Sequence, residues 1–317
     1  MSHSAPGSGQ ALSRETLLGW AALIAAVAIW AGWAVATRFL FLEASLGTAD
    51  IVALRFLVAA GLMAPHALRR GLALWRVKPV ALAGVVLGSG FAFSLCNTGG
   101  LAFAPAAHGG AMTSPLGAVF TGFLAWGLIG EPLPRRRLFG LALIATGAAA
   151  IVAASLDGLW GPQAWIGHVL FTAAGLFWAA YTVAVRGARV GVLDAVTLSV
   201  VGSAGVFSLP YVLVVGPRFL AAPPWEVAVQ GLLHGVLGAT VSVILFNRGL
   251  VLVGATRAAA VGALTPTLTA VFGIIVLGEV PSPLETAGIA ILTLGVILAS
   301  ALPPAQAGPL APASPRP

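Results

Sequence analysis

Charged residues are scarce in this sequence. Asp, Glu, Lys and Arg make up 8% of its 317 residues, where a soluble globular protein carries about 25%. So few charges cannot coat a soluble domain of this size, and that class is excluded. A single cysteine, Cys96, lies inside an apolar run. It excludes an intrachain disulfide and leaves no CxxC pair. The acids number nine, and none falls in the middle of an apolar run. HExxH, GxSxG and paired carboxylates are also missing, so a membrane-embedded enzyme has neither a nucleophile–base set nor a metal site. No cofactor is expected.

What is present is apolar length. Hydrophobic residues make up 59% of the chain, in runs of about 20 residues that suit bilayer-crossing helices. In lipid every backbone polar group must be satisfied within its own segment, and these runs are too long and continuous for barrel strands. The expectation is an all-α polytopic membrane protein with ten transmembrane helices, near 17–37, 48–67, 79–102, 105–128, 136–154, 164–185, 194–215, 227–249, 256–277 and 284–301. The segments 1–16 and 302–317, rich in Pro, Gly, Ser and Ala, are expected to be disordered tails. The net charge of +7 does not imply nucleic acid, because the arginines form no basic stripe. The expected partners are the lipid bilayer and a small-molecule substrate.

Lys and Arg also set the orientation. With a cytoplasmic N-terminus, the inner segments hold thirteen of them, Arg38 and Arg218 lie in outer loops, and Arg55 lies within a span. The bias predicts both termini inside.

The chain repeats itself. "IWAGWAVATR" (29–38) and "FWAAYTVAVR" (177–186) share five of ten residues. Gly19, Trp30 and Arg38 match Gly167, Trp178 and Arg186 at an offset of 148. Asp50 and Gly61 match Asp194 and Gly205 at 144, and Gly88, Asn97 and Gly99 match Gly238, Asn247 and Gly249 at 150. Gly130, Glu131, Gly140 and Gly147 match Gly278, Glu279, Gly288 and Gly295 at 148 again. The offset changes only in loops, as a tandem duplication requires. The repeats, 17–154 and 155–301, have five helices each, an odd number, so the second enters the membrane from the opposite side. "GEPLPRRR" carries three arginines and its copy "GEVPSPLE" none, which agrees with inversion. Inverted repeats build alternating-access transporters, with the substrate near the midplane between the halves.

"IWAGWAVATR", "DIVALRFLVAAG", "ALTPTLTAVFGIIVLGE" and the Gly-Glu pairs at 130–131 and 278–279 resemble the EamA-type branch of the drug/metabolite transporter superfamily. The general look is similar to its aromatic and neutral amino acid exporters. The resemblance implies ten helices in a bacterial inner membrane and a cavity among helices one to four and six to nine, with five and ten peripheral. It also implies export of amino acids or similar metabolites. One departure is that Pro266 precedes Glu279 by 13 residues, whereas Pro115 precedes Glu131 by 16.

Candidate substrate-binding residues are those whose chemistry is out of place in lipid. Trp30 and Trp178 lie about 20 Å into their helices at 1.5 Å per residue, too deep for the interfacial belt. They are packing residues or flat surfaces for a substrate. Trp33 and Tyr181 share their faces one turn on. Asn97 and Asn247 are matched polar groups that either bond between helices or hold a substrate. Arg55 is a costly intramembrane charge that suits a carboxylate, and its repeat mate is Ser199. His108 and His234 are lone histidines without metal spacing, so no metal site is expected. Pro115 and Pro266, after Ser114 and Thr265, are hinges or static bends. With no mid-span acid, facilitated export of aromatic or neutral amino acids is the leading reading. An ion-coupled transporter of another metabolite or drug is the alternative, and an enzyme or channel a distant one.

Overall fold

The computed structural model describes residues 14–300, so most of the expected tail 1–16 and all of the expected tail 302–317 lie outside the described residues. Among the described residues ten helices are long and apolar enough to cross a membrane. They are α1 (Arg14–Glu43), α2 (Thr48–Trp75), α3 (Pro79–Phe103), α4 (Ala106–Ile129), α5 (Arg135–Ala154), α6 (Ala164–Ala188), α7 (Val192–Val214), α8 (Pro224–Val253), α9 (Arg257–Leu277) and α10 (Pro283–Ser300). The described residues contain no strand. Ten helices in two five-helix repeats is therefore the architecture.

Several boundaries differ from the sequence reading. α1 begins at Arg14, inside the expected tail, and continues to Glu43. Arg38 thus lies within the helix rather than in a loop. The helix can extend through it because Arg38 is neutralised there by Glu279, with Nε to Oε1 at 3.0 Å. The last turn of α2 tightens into a 3₁₀ segment, Gly71–Trp75.

Helix starts and stops follow local chemistry. Pro79 and Pro224 sit in first turns, where a missing N–H costs nothing. α4 and α9 both stop at a glycine in the left-handed region, Gly130 at φ 70° and Gly278 at φ 67°. That conformation favours glycine at a helix end. It explains the glycine of both Gly-Glu pairs and leaves the glutamate just beyond each helix.

The repeats interlock. α1 packs on α8 and α9 of the other half, and α6 packs correspondingly on α3 and α4. α2 pairs with α7, and the most extensive contact joins α5 to α10. The alternation of helices gives two faces. The near face holds the start of α1 and the end of α10. The far face holds the end of α1 and the starts of α2 and α4.

Three spans are irregular near mid-membrane. α3 breaks between Pro79–Gly88 and Phe91–Phe103. There Phe91 N–H donates to Ser203 Oγ (3.0 Å), and Ser203 donates to the Val86 carbonyl (3.2 Å). The equivalent part of α8 is a wide π-type stretch, Gly231–Val241. α9 breaks just before Thr265–Leu277, so Pro266 falls in a first turn, while Pro115 lies inside an unbroken helix. Backbone freed in this way is tolerated in a membrane protein where it lines a cavity or is buried in protein.

Candidate substrate cavity

A cavity of about 460 Å³ lies between the repeats. Its wall draws on α1 to α4 and α6 to α9, with Val296 and Ser300 added from α10 and nothing from α5. On the near side it extends to Ser300 and to Ala259 in the first turns of α9. On the far side it stops at Leu101, Gly109 and Gly110.

Of the residues singled out by sequence, Trp30, Trp33, Arg55, Asn97, Pro115, Trp178, Tyr181 and Pro266 line this cavity. The tryptophans are held by named partners. Trp30 Nε1 donates to Ser242 Oγ (3.0 Å), and its ring lies 5.0 Å from Phe246. Trp178 stands 5.5 Å from Phe93 and 5.2 Å from Tyr181. Each repeat therefore presents one tryptophan backed by a phenylalanine from the other repeat. The Thr113 hydroxyl donates to Asn97 Oδ1 at 2.8 Å. Gly117 and Gly238 leave room for the rings, since a Cβ would stand 3.1 Å from Trp178 Cδ1 or 3.2 Å from Trp33 Cδ1.

His108, His234 and Asn247 are not in the wall. Asn247 Nδ2 donates to the Val243 carbonyl (2.8 Å) within α8. His234 is fully buried behind Trp33. Trp33 Nε1 donates to His234 Nδ1 (3.1 Å), and His234 Nε2 lies 3.2 Å from Thr37 Oγ1. Indole nitrogen can only donate. Nδ1 must therefore be the acceptor, and Nε2 carries the proton toward Thr37, which donates on to the Trp33 carbonyl (2.7 Å). His234 thus orients a wall tryptophan from behind. His108 is not solitary. Its Nδ1 is 2.9 Å from His168 Nε2, and its Nε2 is 2.9 Å from Glu285 Oε1, which also accepts from Trp160 Nε1. Sequence spacing could not bring α4, α6 and α10 together at that point. Among the described residues, no group of three or more His, Cys, Asp or Glu is arranged to hold a metal.

The wall also contains residues that sequence reasoning passed over. Ser89, at the break in α3, donates to Ser199 Oγ at 2.9 Å. Phe93 and Phe246 flank the tryptophans. The signal for the first was the Gly-Ser-Gly at 88–90. Phe93 and Phe246 had none, since phenylalanine is ordinary in a lipid-facing helix.

The wall holds no Asp, Glu, Lys or His, and Arg55 is its one charged side chain among the described residues. The carboxylates lie at helix ends instead. On the far face, Asp50 accepts from Tyr211 Oη (2.6 Å), and Glu226 accepts from Ser45 and Leu46. Glu279 accepts from Arg38 and from the Ala106 N–H (3.0 Å).

An irregular ten-helix bundle of two repeats around a midplane cavity defines the class of membrane carriers. The EamA-like transporter family model matches the chain twice, over residues 17–153 and 165–301. The protein belongs to that family of small-molecule transporters. No curated protein matches the chain in sequence. Among solved structures, one described only as the crystal structure of a protein is 21% identical, with a TM-score of 0.53. The match covers 91% of this chain and 98% of that one, and it shows a shared fold alone.

Proposed function

We propose that the protein exports small amphipathic metabolites, aromatic and neutral amino acids first among them, by alternating access. The observation that supports this most directly is the wall itself. Two repeat-matched tryptophans, each backed by phenylalanine, stand beside hydroxyls, an amide and one guanidinium. Flat aromatic faces and a few polar groups suit a ligand with an apolar body and a polar head. The Lys/Arg bias supports cytoplasmic termini, and the family resemblance supports a bacterial inner membrane. Among the described residues the wall carries no carboxylate, which supports reading the transport as that of a facilitator running without proton or sodium coupling.

The test is counterflow in proteoliposomes with labelled amino acids and no ion gradient. Saturable exchange is expected, unchanged when proton and sodium gradients are collapsed. It is expected to be lost in the Trp30→Ala, Trp178→Ala double variant while that variant still elutes as folded protein. Concentrative transport that disappears on collapse of a gradient would sink the facilitator reading. It would direct attention to the buried His108–Glu285 pair, outside the cavity.

A further inference from the structure

Among the described residues Arg55 has no hydrogen-bond or ion-pair partner. Its Nε is buried without a hydrogen bond, and its ring neighbour is the adjacent Phe56, 5.8 Å from the guanidinium carbon. Nη1 points along the wall, 3.3 Å from where a Cβ on Gly238 would stand. Arg38, Asp50, Glu226 and Glu279, other charged groups largely buried near helix ends, are all engaged. An unpaired intramembrane guanidinium is costly and calls for an anion. His234, behind the same wall, is held as a neutral donor–acceptor between Trp33 and Thr37 and supplies none.

We propose that Arg55 binds the carboxylate of an aromatic or apolar monoanion, and that a substrate ammonium group is dispensable. This rests on the cavity being the substrate site. The reason is charge count. A wall of charge +1 is neutralised by a monoanion. A zwitterion sets its ammonium a few ångströms from the same guanidinium, with no acid in the wall to receive it, so much of the attraction is cancelled. One cation amid aromatic rings also suits a monocarboxylate better than a doubly charged phosphate. The transport consequence is direct. Each cycle of an uncoupled carrier moves one negative charge, so a cytoplasm-negative membrane potential drives export by itself. At 100 mV the equilibrium ratio is roughly fifty-fold. Export then needs no acid relay.

The experiment uses the full chain in proteoliposomes with 3-phenylpropionate, phenylalanine and phenethylamine. Expected is counterflow of 3-phenylpropionate at least matching phenylalanine, and none of phenethylamine. An inside-negative potassium diffusion potential should speed efflux of the acid and leave phenylalanine unchanged. Arg55→Gln should lower 3-phenylpropionate flux about tenfold or more, with Arg55→Lys intermediate because its ammonium cannot match a carboxylate bidentately. Phenylalanine moving without 3-phenylpropionate would overturn this inference and leave the transport reading standing. So would an Arg55→Gln protein with unchanged flux. If neither compound moves nor quenches tryptophan fluorescence, the cavity reading itself falls.

A second, independent observation concerns the faces. Arg38 and Arg186 are repeat mates, as are Glu131 and Glu279. Each arginine pairs with the glutamate of the opposite repeat. On the far face the pair is closed, with Arg38 and Glu279 only 15% and 10% exposed. Arg38 Nη1 also donates to the carbonyls of Leu101 (3.0 Å) and Ala102 (3.1 Å), and the Leu101 side chain ends the cavity. On the near face Arg186 lies 3.3 Å from Glu131, with 48% and 33% exposure, and Glu131 is shared with Arg137 at 3.8 Å. The geometry points to a pair of unequal latches that trade roles: both are made here, the far one buried at the closed end of the cavity and the near one exposed and shared at the end to which the cavity extends, and a cycle exchanges which of the two is buried.

Spin labels at Leu42 and Val280, and at Leu128 and Val192, all exposed, test this in a Cys96→Ala background. Arg38→Gln should widen the far-face distance and shorten the near-face one. Glu131→Gln should leave both as in the parent. The swap Arg38→Glu, Glu279→Arg should move the distances back toward the parent, which separates a latch from general loosening. Unchanged distances in Arg38→Gln, or the same shift in Arg38→Gln and Glu131→Gln, would overturn it.

Discussion

Gly147→Leu is expected to be the most destabilising single substitution in the transmembrane region. A Cβ at Gly147 would stand 2.5 Å from the Gly288 carbonyl and 2.8 Å from the Leu292 nitrogen. The contact is reciprocal, because a Cβ at Gly288 would stand 2.8 Å from the Gly147 carbonyl. Gly140 and Gly295 repeat the arrangement two turns away, each within 2.8 Å of the other's carbonyl. Backbone meets backbone there, so no side chain can swing aside, and α5 and α10 must separate. Lipid gives no hydrophobic drive to hold them, so the seam depends on close van der Waals packing through small residues. Overpacking costs ~1–3 kcal/mol in an ordinary core, and a whole interhelix contact puts this substitution at or above the top of that range. At a few degrees per kcal/mol, the apparent melting temperature in detergent should fall by about 10 °C. Gly61→Leu and Gly205→Leu provide the control. They too are repeat mates in spans, but a Cβ meets nothing within 4 Å at either, and both variants should melt within a degree or two of the parent.

That contrast marks what the sequence could convey. The glycines of α5 and α10 recur seven residues apart in both repeats, and such spacing already implies one shared helix face. Gly61 and Gly205 recur just as faithfully with no packing cause, so recurrence alone does not separate a contact from an inherited residue. Helix number, the two-repeat architecture and the interior position of Trp30 and Trp178 were legible because they depend on apolar length and internal symmetry. The placement of His108 and His234 was not, because their partners come from distant helices. Nor was the use of Arg38. An arginine a few residues from a span's expected end reads as a loop residue until the glutamate that neutralises it, 241 positions away, is brought alongside.

The same substitution in the two repeats is expected to do different damage. Gly88 and Gly238 are mates, at the irregular points of α3 and α8. A Cβ at Gly88 would lie 2.6 Å from both the Phe177 carbonyl and the Tyr181 nitrogen. These are α6 backbone atoms, which cannot yield without moving a helix. Gly88→Ala should therefore lower yield and thermal stability, with the loss again near the upper part of the ~1–3 kcal/mol overpacking range. At Gly238 a Cβ would meet the Leu233 carbonyl at 3.1 Å, Trp33 Cδ1 at 3.2 Å and Arg55 Nη1 at 3.3 Å, each a contact that a shift of a few tenths of an ångström relieves. The guanidinium is the far end of a flexible chain and can shift by a few tenths of an ångström. Gly238→Ala should fold with near-parental stability, yet displace the one charge in the cavity. Counterflow should fall about tenfold, the scale of one charge-assisted hydrogen bond, with the loss in apparent affinity rather than in maximal rate. Gly238→Leu fills the space between Trp33 and Arg55 and should abolish binding altogether, read as loss of tryptophan quenching in protein that still elutes as a single folded species. If Gly238→Ala is instead the less stable of the two alanine variants, the widened turn of α8 is a packing feature like the break in α3, and the room beside Arg55 serves the fold rather than the substrate.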